Sequence, residues 1–505
     1  LYFFSEKACE GMKISNPLKK SLLMGLSITA IMIVFLSQLL YVNPYASSWD
    51  QVDFSLAVTR FDLMAMQPHF PGYPLFILGG KFIHLFVNDP SKALTLFNIL
   101  FYASTVFPIY KLCRSFLSEG YSWLSAAIIY SSSFCIIMVN QPMSEGAALA
   151  AFWWYLWSLL FAIKRTNSTF ILIPLAMLSL MLGIRLSYLP FSIGILFLFY
   201  LKFKNKTITS VDLIYYCLFG IAFQACWIVA LIVSEGSLIG FIKLSLAFTS
   251  GHFNDWGGAI ETSKISFLER LTKFSWGNIV WTGIAGKSMI TAVIFIFFLA
   301  ASLFHRYKKQ EPKPNHPFIQ LLYLMFSCYF VWGLLGQNIE KARHVLPLII
   351  LLVFIICIHL FSKRVSYLIL GLAFILLGHQ VWKDVILLKA EGTESPAVYK
   401  MNEYISKMDQ PVILYTWEET RVLQYLNAPY PHKRLETFDF FTSDSKYFRG
   451  RTILLTDKVV EGFLTQGHSL DGKIIKVASF QSNELFDPVY HDITLYKWIG
   501  NEAVH

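Results

Sequence analysis

The 505-residue chain is 55% hydrophobic and only 15% charged, with a mean hydropathy of +0.52. Soluble globular domains carry roughly 25% charged residues, so most of this chain belongs in a bilayer. The net charge of +10 sits in short basic loops, where it reports membrane topology rather than nucleic-acid affinity. The 7 cysteines form no CxxC pair and no metal-ligand spacing, so neither a disulfide framework nor a cysteine metal site is expected.

The opening "LYFFSEKACEGMKISNPLKK" does not begin with methionine; Met12 is a candidate start, and the residues before it are set aside from fold reasoning. The apolar run 21–42 exceeds a signal-peptide core and lacks a small-residue cleavage site, so it reads as a retained membrane helix. A span needs about twenty apolar residues. Further candidates are 92–111, 121–139, 146–163, 169–183, 186–201, 212–233, 288–304, 318–336, 345–361 and 367–388, which makes eleven with the first. The stretch 73–87 is read as lying along the membrane surface, and 169–201 as two short spans broken at Arg185. The basic clusters at 16–20, 111–114, 164–165, 202–206, 305–313 and 362–364 then all fall on the cytoplasmic side, as the positive-inside rule requires.

This arrangement predicts a multi-pass cell-membrane protein with a cytoplasmic N-terminal segment (1–20) and a transmembrane domain (21–390). The loops 43–91 and 234–287 face outward, and a tail of residues 391–505 is extracytoplasmic. The tail changes character: 411–417, 452–458, 472–480 and 491–498 read as strands, while 396–408 and 418–427 have helical spacing. It is expected to be a small α/β domain. No internal repeat is evident, which weakens a transporter built on inverted repeats.

Polar residues suited to chemistry gather on the expected outer side. In "SSWDQVDFSLAVTRFD", Asp50 and Asp53 are three apart and would share one face of a helical turn. A carboxylate beside an apolar wall can have a raised pKa and act as a general base; two solvated loop acids are the plainer reading. Then comes "MAMQPHFPGYPLF", whose prolines hold the backbone rigid around His69.

The acid pair followed by "HFPGYPLF" resembles the first outer loop of GT-C superfamily glycosyltransferases, in a bacterial branch related to protein O-mannosyltransferases and to the aminoarabinose transferases of lipid A. That branch pairs an acidic DxxE with HPPGYPLY. Here Asp53 stands in place of Glu, and Phe70 in place of the first Pro. The resemblance implies a GT-C-like membrane domain and transfer of a sugar from a polyprenyl-phosphate donor on the non-cytoplasmic face. It also implies a loop-one acid as catalytic base, Asp50 or Asp53, with His69 and Tyr73 of the matched motif as substrate contacts.

Four further features fit that chemistry, each beside a structural alternative. Glu145, in "NQPMSEG", suits a substrate contact or an acid stabilised at a helix N-terminus. Arg185, between two apolar runs, suits a phosphate ligand or an interfacial anchor. His252, Asp255 and Trp256, in "TSGHFNDWGG", suit sugar contacts or an ordinary surface loop. Lys341, Arg343 and His344, in "GQNIEKARHVLPL", are basic on the side where basic loops are not expected, which suits a donor-phosphate site.

The expected function is therefore a membrane glycosyltransferase, inverting, moving a hexosyl or pentosyl group from a polyprenyl-phosphate-linked donor to an acceptor hydroxyl. The acceptor is left open among glycan, lipid and protein, and membrane lipid is the other expected partner. A flippase or transporter of a lipid-linked saccharide is the alternative reading. No cofactor and no metal site is expected, although a role for a divalent metal is left open.

Overall fold

A computed structural model describes residues 17–256, 258–262, 265–308, 316–362, 365–448 and 450–500. Most of the N-terminal segment, Met12 included, lies outside them, as do parts of the basic clusters at 305–313 and 362–364. The side chain of Trp256 is also outside the described part.

The membrane domain is a helical bundle. Among the described residues, eight helices are long and apolar enough to cross a bilayer, including Pro17–Leu40, Ser144–Lys164, Ser210–Glu235 and Ala342–Phe361. Two bent pairs, Glu119–Tyr130 with Ser133–Val139 and Phe267–Ile284 with Met289–Ala301, bring the count among the described residues to ten if each pair is one span. The shorter apolar helix Ser168–Ile184 lies where a further span is expected. Arg185 separates it from Leu186–Lys204, where the backbone turns extended (φ −152°, ψ 104°). The stretch expected along the surface forms the short helix Pro74–His84, with Pro74 in its first turn, where a missing N–H costs nothing.

The segment 234–287 departs from expectation. It is not a loop but a run of helices, Leu238–Gly251, Phe267–Thr272 and Lys273–Ile284. Its glycines and polar residues had suggested irregular chain, whereas tertiary packing carries the helices through them.

The tail forms a five-stranded sheet in the order β2-β1-β3-β5-β4. The strands are β1 (Val412–Thr416), β2 (His432–Arg434), β3 (Thr452–Thr456), β4 (Ile474–Gln481) and β5 (Asp492–Trp498). The first three are parallel and β5 pairs antiparallel with β3 and β4. In β1, Val412 and Leu414 enter one core and Ile413 and Tyr415 the other, as the two-residue period of a strand covered on both faces dictates. Strand β2 was not anticipated: three residues, His-Lys-Arg, carry no apolar signal.

The two domains meet on the helix Trp49–Thr59. Phe54, Ala57 and Val58 bury into the membrane-domain core. Val52, with Leu56 one turn on, packs instead into the tail core among Val398, Met401, Leu414 and Leu423. Tyr399 clasps the preceding segment, its hydroxyl bonding to the backbone N and O of Ala46 at 3.2 and 3.3 Å. The acid-bearing helix is therefore an element of both cores. Val52→Ala is expected to destabilise the protein by about 2 kcal/mol through lost burial and a residual cavity. Thermal unfolding in detergent, read through residues 397–498, checks this.

Candidate active site

Asp50 and Asp53 occupy one helix, yet their surroundings differ. The Asp53 side chain is wholly buried, whereas that of Asp50 is 24% exposed. Asp53 Oδ1 accepts from Arg421 Nε at 2.8 Å, and Oδ2 lies 3.3 Å from His69 Nδ1. His69 Nε2 in turn lies 3.1 Å from the Tyr73 hydroxyl. Burial raises the Asp53 pKa, and His69 and Arg421 offset this only in part.

The proline-rich loop sets this geometry through left-handed backbone at Gly72 and Tyr73. Gly72 has φ +91°, and a Cβ there would stand 2.8 Å from Leu231. Tyr73 has φ +47°, a conformation that costs a non-glycine residue about 1–3 kcal/mol and persists only where surroundings enforce it. Here those surroundings are the His69 contact and the edge-on packing of Tyr73 against Phe54.

Asp50 faces cations. Arg343 Nη2 approaches its Oδ2 to 2.5 Å, and Lys341 Nζ stands at 3.9 Å. Burial alone would raise its pKa, but Lys341 and Arg343 outweigh burial and hold the carboxyl below its ordinary value. Arg343 Nε also reaches Glu145 Oε1 at 2.9 Å, and Arg185 Nη2 reaches the same oxygen at 3.2 Å. The result is an alternating chain of charge: Asp50, Arg343, Glu145, Arg185. Such alternation sets each basic group beside an acidic one, which offsets the cost of burying charge. Arg185 completes its shell on Ser144 Oγ at 2.8 Å and His344 Nδ1 at 3.3 Å.

Each partner is held from behind. Asn98 donates to the carbonyls of Gln141 and Met143 and accepts from the Ala147 N–H, which fixes the turn that presents Glu145. The helical segment after residue 250 clamps the cationic loop. Arg270 bonds the carbonyls of Leu334, Gln337 and Gly258, Asn278 bonds that of Ile339, and His252 bonds that of Gly336.

Asp50, Lys341 and Arg343 open into a cleft enclosing about 560 Å³, part of it open to solvent. Trp49, Gln51, Phe134 and Gln141 line the membrane-domain side. The tail supplies the facing wall, from Glu418 and the turn 486–490. In that turn Asp487 Oδ1 accepts the N–H groups of Val489 and Tyr490 at 3.0 and 3.1 Å. Burial raises the Asp487 pKa against those bonds and the nearby Arg343 and Lys341.

Of the residues singled out from the sequence, Asp50, Asp53, His69, Tyr73, Glu145, Arg185, Lys341, Arg343 and His344 converge. Their roles separate on burial. Asp50, Lys341 and Arg343 line the cleft, whereas Glu145 and Arg185 form the layer behind it, 0% and 6% exposed. Arg185 is thus neither lipid-facing nor on the cleft wall. His252 holds the Gly336 carbonyl, and Asp255 is exposed on the same turn; the contacts described do not join either to the acid–cation chain. Among the described residues, no group of three or more His, Cys, Asp or Glu side chains is placed to hold a metal ion. Arg421, Glu418, Asp487 and Tyr490 escaped the sequence reading because they lie more than 350 residues from Asp50. The turn signal in "FDPVY" was the one hint.

No family model matches the chain, and no curated protein matches it in sequence. Among solved structures, it is similar to ArnT from Cupriavidus metallidurans. The undecaprenyl phosphate-bound and apo structures each give a TM-score of 0.54 at 11% identity, covering 94% of this chain and 98% of that one. The archaeal oligosaccharyltransferase AglB from Archaeoglobus fulgidus, in complex with an inhibitory peptide and a dolichol-phosphate, gives 0.49 at 11% identity, covering 87% of this chain and 70% of that one. The fold is a GT-C fold: a polytopic helical membrane domain with a small C-terminal α/β domain.

A second buried carboxyl of the tail, Glu419, is shifted as well. Burial pushes the Glu419 carboxyl, beside the cleft residue Glu418, up to about 7 from an ordinary 4.5. An acid whose folded pKa is raised binds its proton more tightly when folded, so stability falls as pH rises from 4.5 to about 7. Glu419→Gln should flatten that fall and gain up to about 3 kcal/mol over wild type above pH 7. Unfolding midpoints at pH 5 and pH 8 measure it.

Proposed function

We propose that this protein is an inverting glycosyltransferase using a polyprenyl-phosphate-linked sugar at the extracytoplasmic membrane surface. The observation that carries this reading is one cleft in which an ionised, partly exposed carboxylate, Asp50, meets two cations, Arg343 and Lys341. The GT-C fold and the undecaprenyl phosphate in the similar ArnT structure support a polyprenyl phosphate carrier. The positive-inside assignment supports a cytoplasmic N-terminus and an extracytoplasmic tail.

In the proposed step, Asp50 takes the proton of an acceptor hydroxyl as its oxygen attacks the anomeric carbon. The bond from that carbon to the phosphate oxygen breaks on the opposite side, inverting the centre, and the electron pair leaves on the phosphate. Arg343 and Lys341 stabilise the departing phosphate, with Glu145, Arg185 and His344 fixing Arg343 from behind. A donor phosphate at Arg343 competes with Asp50 for the guanidinium. Binding of the donor thereby relaxes the pairing that depresses the Asp50 pKa and makes it a better base when it is needed. Asp50 fills this role rather than Asp53, whose oxygens are committed to Arg421 and His69.

Release of polyprenyl phosphate from a polyprenyl-phosphate sugar donor, in detergent or membranes, tests the reading. Asp50→Asn is expected to lower turnover by about 10²–10⁴-fold, the range for loss of a general base. Asp53→Asn is expected to cost less. Full activity in both single variants and in the double variant would sink the assignment.

A further inference from the structure

The resting place of Arg421 ties the tail to the acid pair. It sits on a tail helix, Glu419–Tyr425, yet its guanidinium leaves the tail and reaches the first membrane-domain loop. There it bonds Asp53 Oδ1 at 2.8 Å and the carbonyls of Ala65 and Met66 at 3.4 and 3.3 Å. Met66 is itself left-handed, with φ +55°, so this cation holds the loop where its backbone is least relaxed. The same guanidinium lies over the ring of Trp49, the neighbour of Asp50, at 5.7 Å from its centroid.

From Arg421 the contacts run on as far as Tyr73. Asp53 meets His69, His69 meets Tyr73, and the Tyr73 hydroxyl lies within electrostatic reach of Asp50, Glu145, Arg185 and Arg343. Asp53 is entirely buried and faces two basic groups. Without Arg421 it would hold a charge opposed by one imidazole alone, and the favourable state would shift towards a neutral carboxyl that grips His69 less firmly.

We infer that the tail domain is an integral half of the active site, with Arg421 as a positioning residue that acts through Asp53 and His69 on Tyr73 and on the helix carrying Asp50. This rests on the transferase reading given above. It assigns Arg421 no contact with donor or acceptor. Its effect belongs to the geometry of the reacting groups and not to the affinity for the lipid phosphate, whose cations stand on a separate loop.

The full-length protein tests it with Arg421→Gln, Arg421→Lys, Arg434→Gln and His69→Gln. Arg434 stacks on the same Trp49 ring at 5.6 Å but makes no contact with Asp53, so it isolates the aromatic contact from the ion pair. Arg421→Gln should lower kcat for donor turnover by about 30-fold or more, and Arg421→Lys by about 3–10-fold, as misplacement of catalytic groups does. Undecaprenyl phosphate binding should change less than about 2-fold in both, and Arg434→Gln should turn over donor like wild type. Arg421→Gln combined with His69→Gln should be no worse than the poorer single variant, because the two act through one carboxylate. Wild-type kcat in Arg421→Gln, full additivity with His69→Gln, or loss of undecaprenyl phosphate binding would overturn the inference. If Arg421→Gln does not fold, Arg421→Lys decides: wild-type kcat there, or loss of undecaprenyl phosphate binding, overturns it. Asp50→Asn, assayed alongside, separates the two ideas. If Asp50→Asn, Asp53→Asn and the double variant all remain fully active the transferase reading fails, whereas an inactive Asp50→Asn beside a fully active Arg421→Gln defeats only the role of Arg421.

Discussion

A guanidinium at a membrane boundary has to be neutralised, and the way Arg343 is neutralised organises this protein. It divides its charge between Asp50, which faces the cleft, and Glu145, which faces the bundle, and Glu145 is shared again with Arg185. Removing either carboxylate would leave a cation with half its compensation in a nearly dry site, a far larger loss than that of an exposed pair. The arrangement does more than stabilise. It places one carboxylate and one cation edge to edge at the mouth of a cleft, where a phosphate ester and a hydroxyl would each find a partner.

The second constraint is mechanical. A helix of 11 residues is too short to be stable alone, so Trp49–Thr59 takes its order from what it packs against. Because Val52 belongs to the tail core and Phe54 to the membrane core, the position of Asp50 depends on how the two domains sit together. A domain that looks like an appendage in the chain order thus holds the acid-bearing helix twice, by packing on Val52 and through Arg421 on Asp53.

Much of this was legible in the sequence, for identifiable reasons. The spans announce themselves because apolar runs of bilayer length have few other uses, and the helix Pro74–His84, of 11 residues, is too short to be one of them. Asp50, His69 and Arg343 stood out because charge and proline are conspicuous against so apolar a background. Arg421 had no such contrast: in "EETRVLQYLN" it is one charge on an amphipathic helix, and only the folded chain shows that it leaves its own domain. Glu145 and Arg185 were visible as anomalies, but that they neutralise a common partner and lie behind the cleft wall is a property of packing. The helical nature of 234–287 was hidden by its glycines and polar residues, although Arg270 and Asn278 there hold the cationic loop in place.

The proposed chemistry requires that Arg343 and Lys341 hold the phosphate of a lipid-linked sugar. Native mass spectrometry of the protein purified from its membrane in mild detergent addresses this most directly. A bound polyprenyl phosphate, alone or bearing a sugar, is predicted for the wild type, with its occupancy sharply reduced in a variant carrying both Arg343→Gln and Lys341→Gln. Equal occupancy in the two proteins, or bound lipid consisting of phospholipid only, would contradict it.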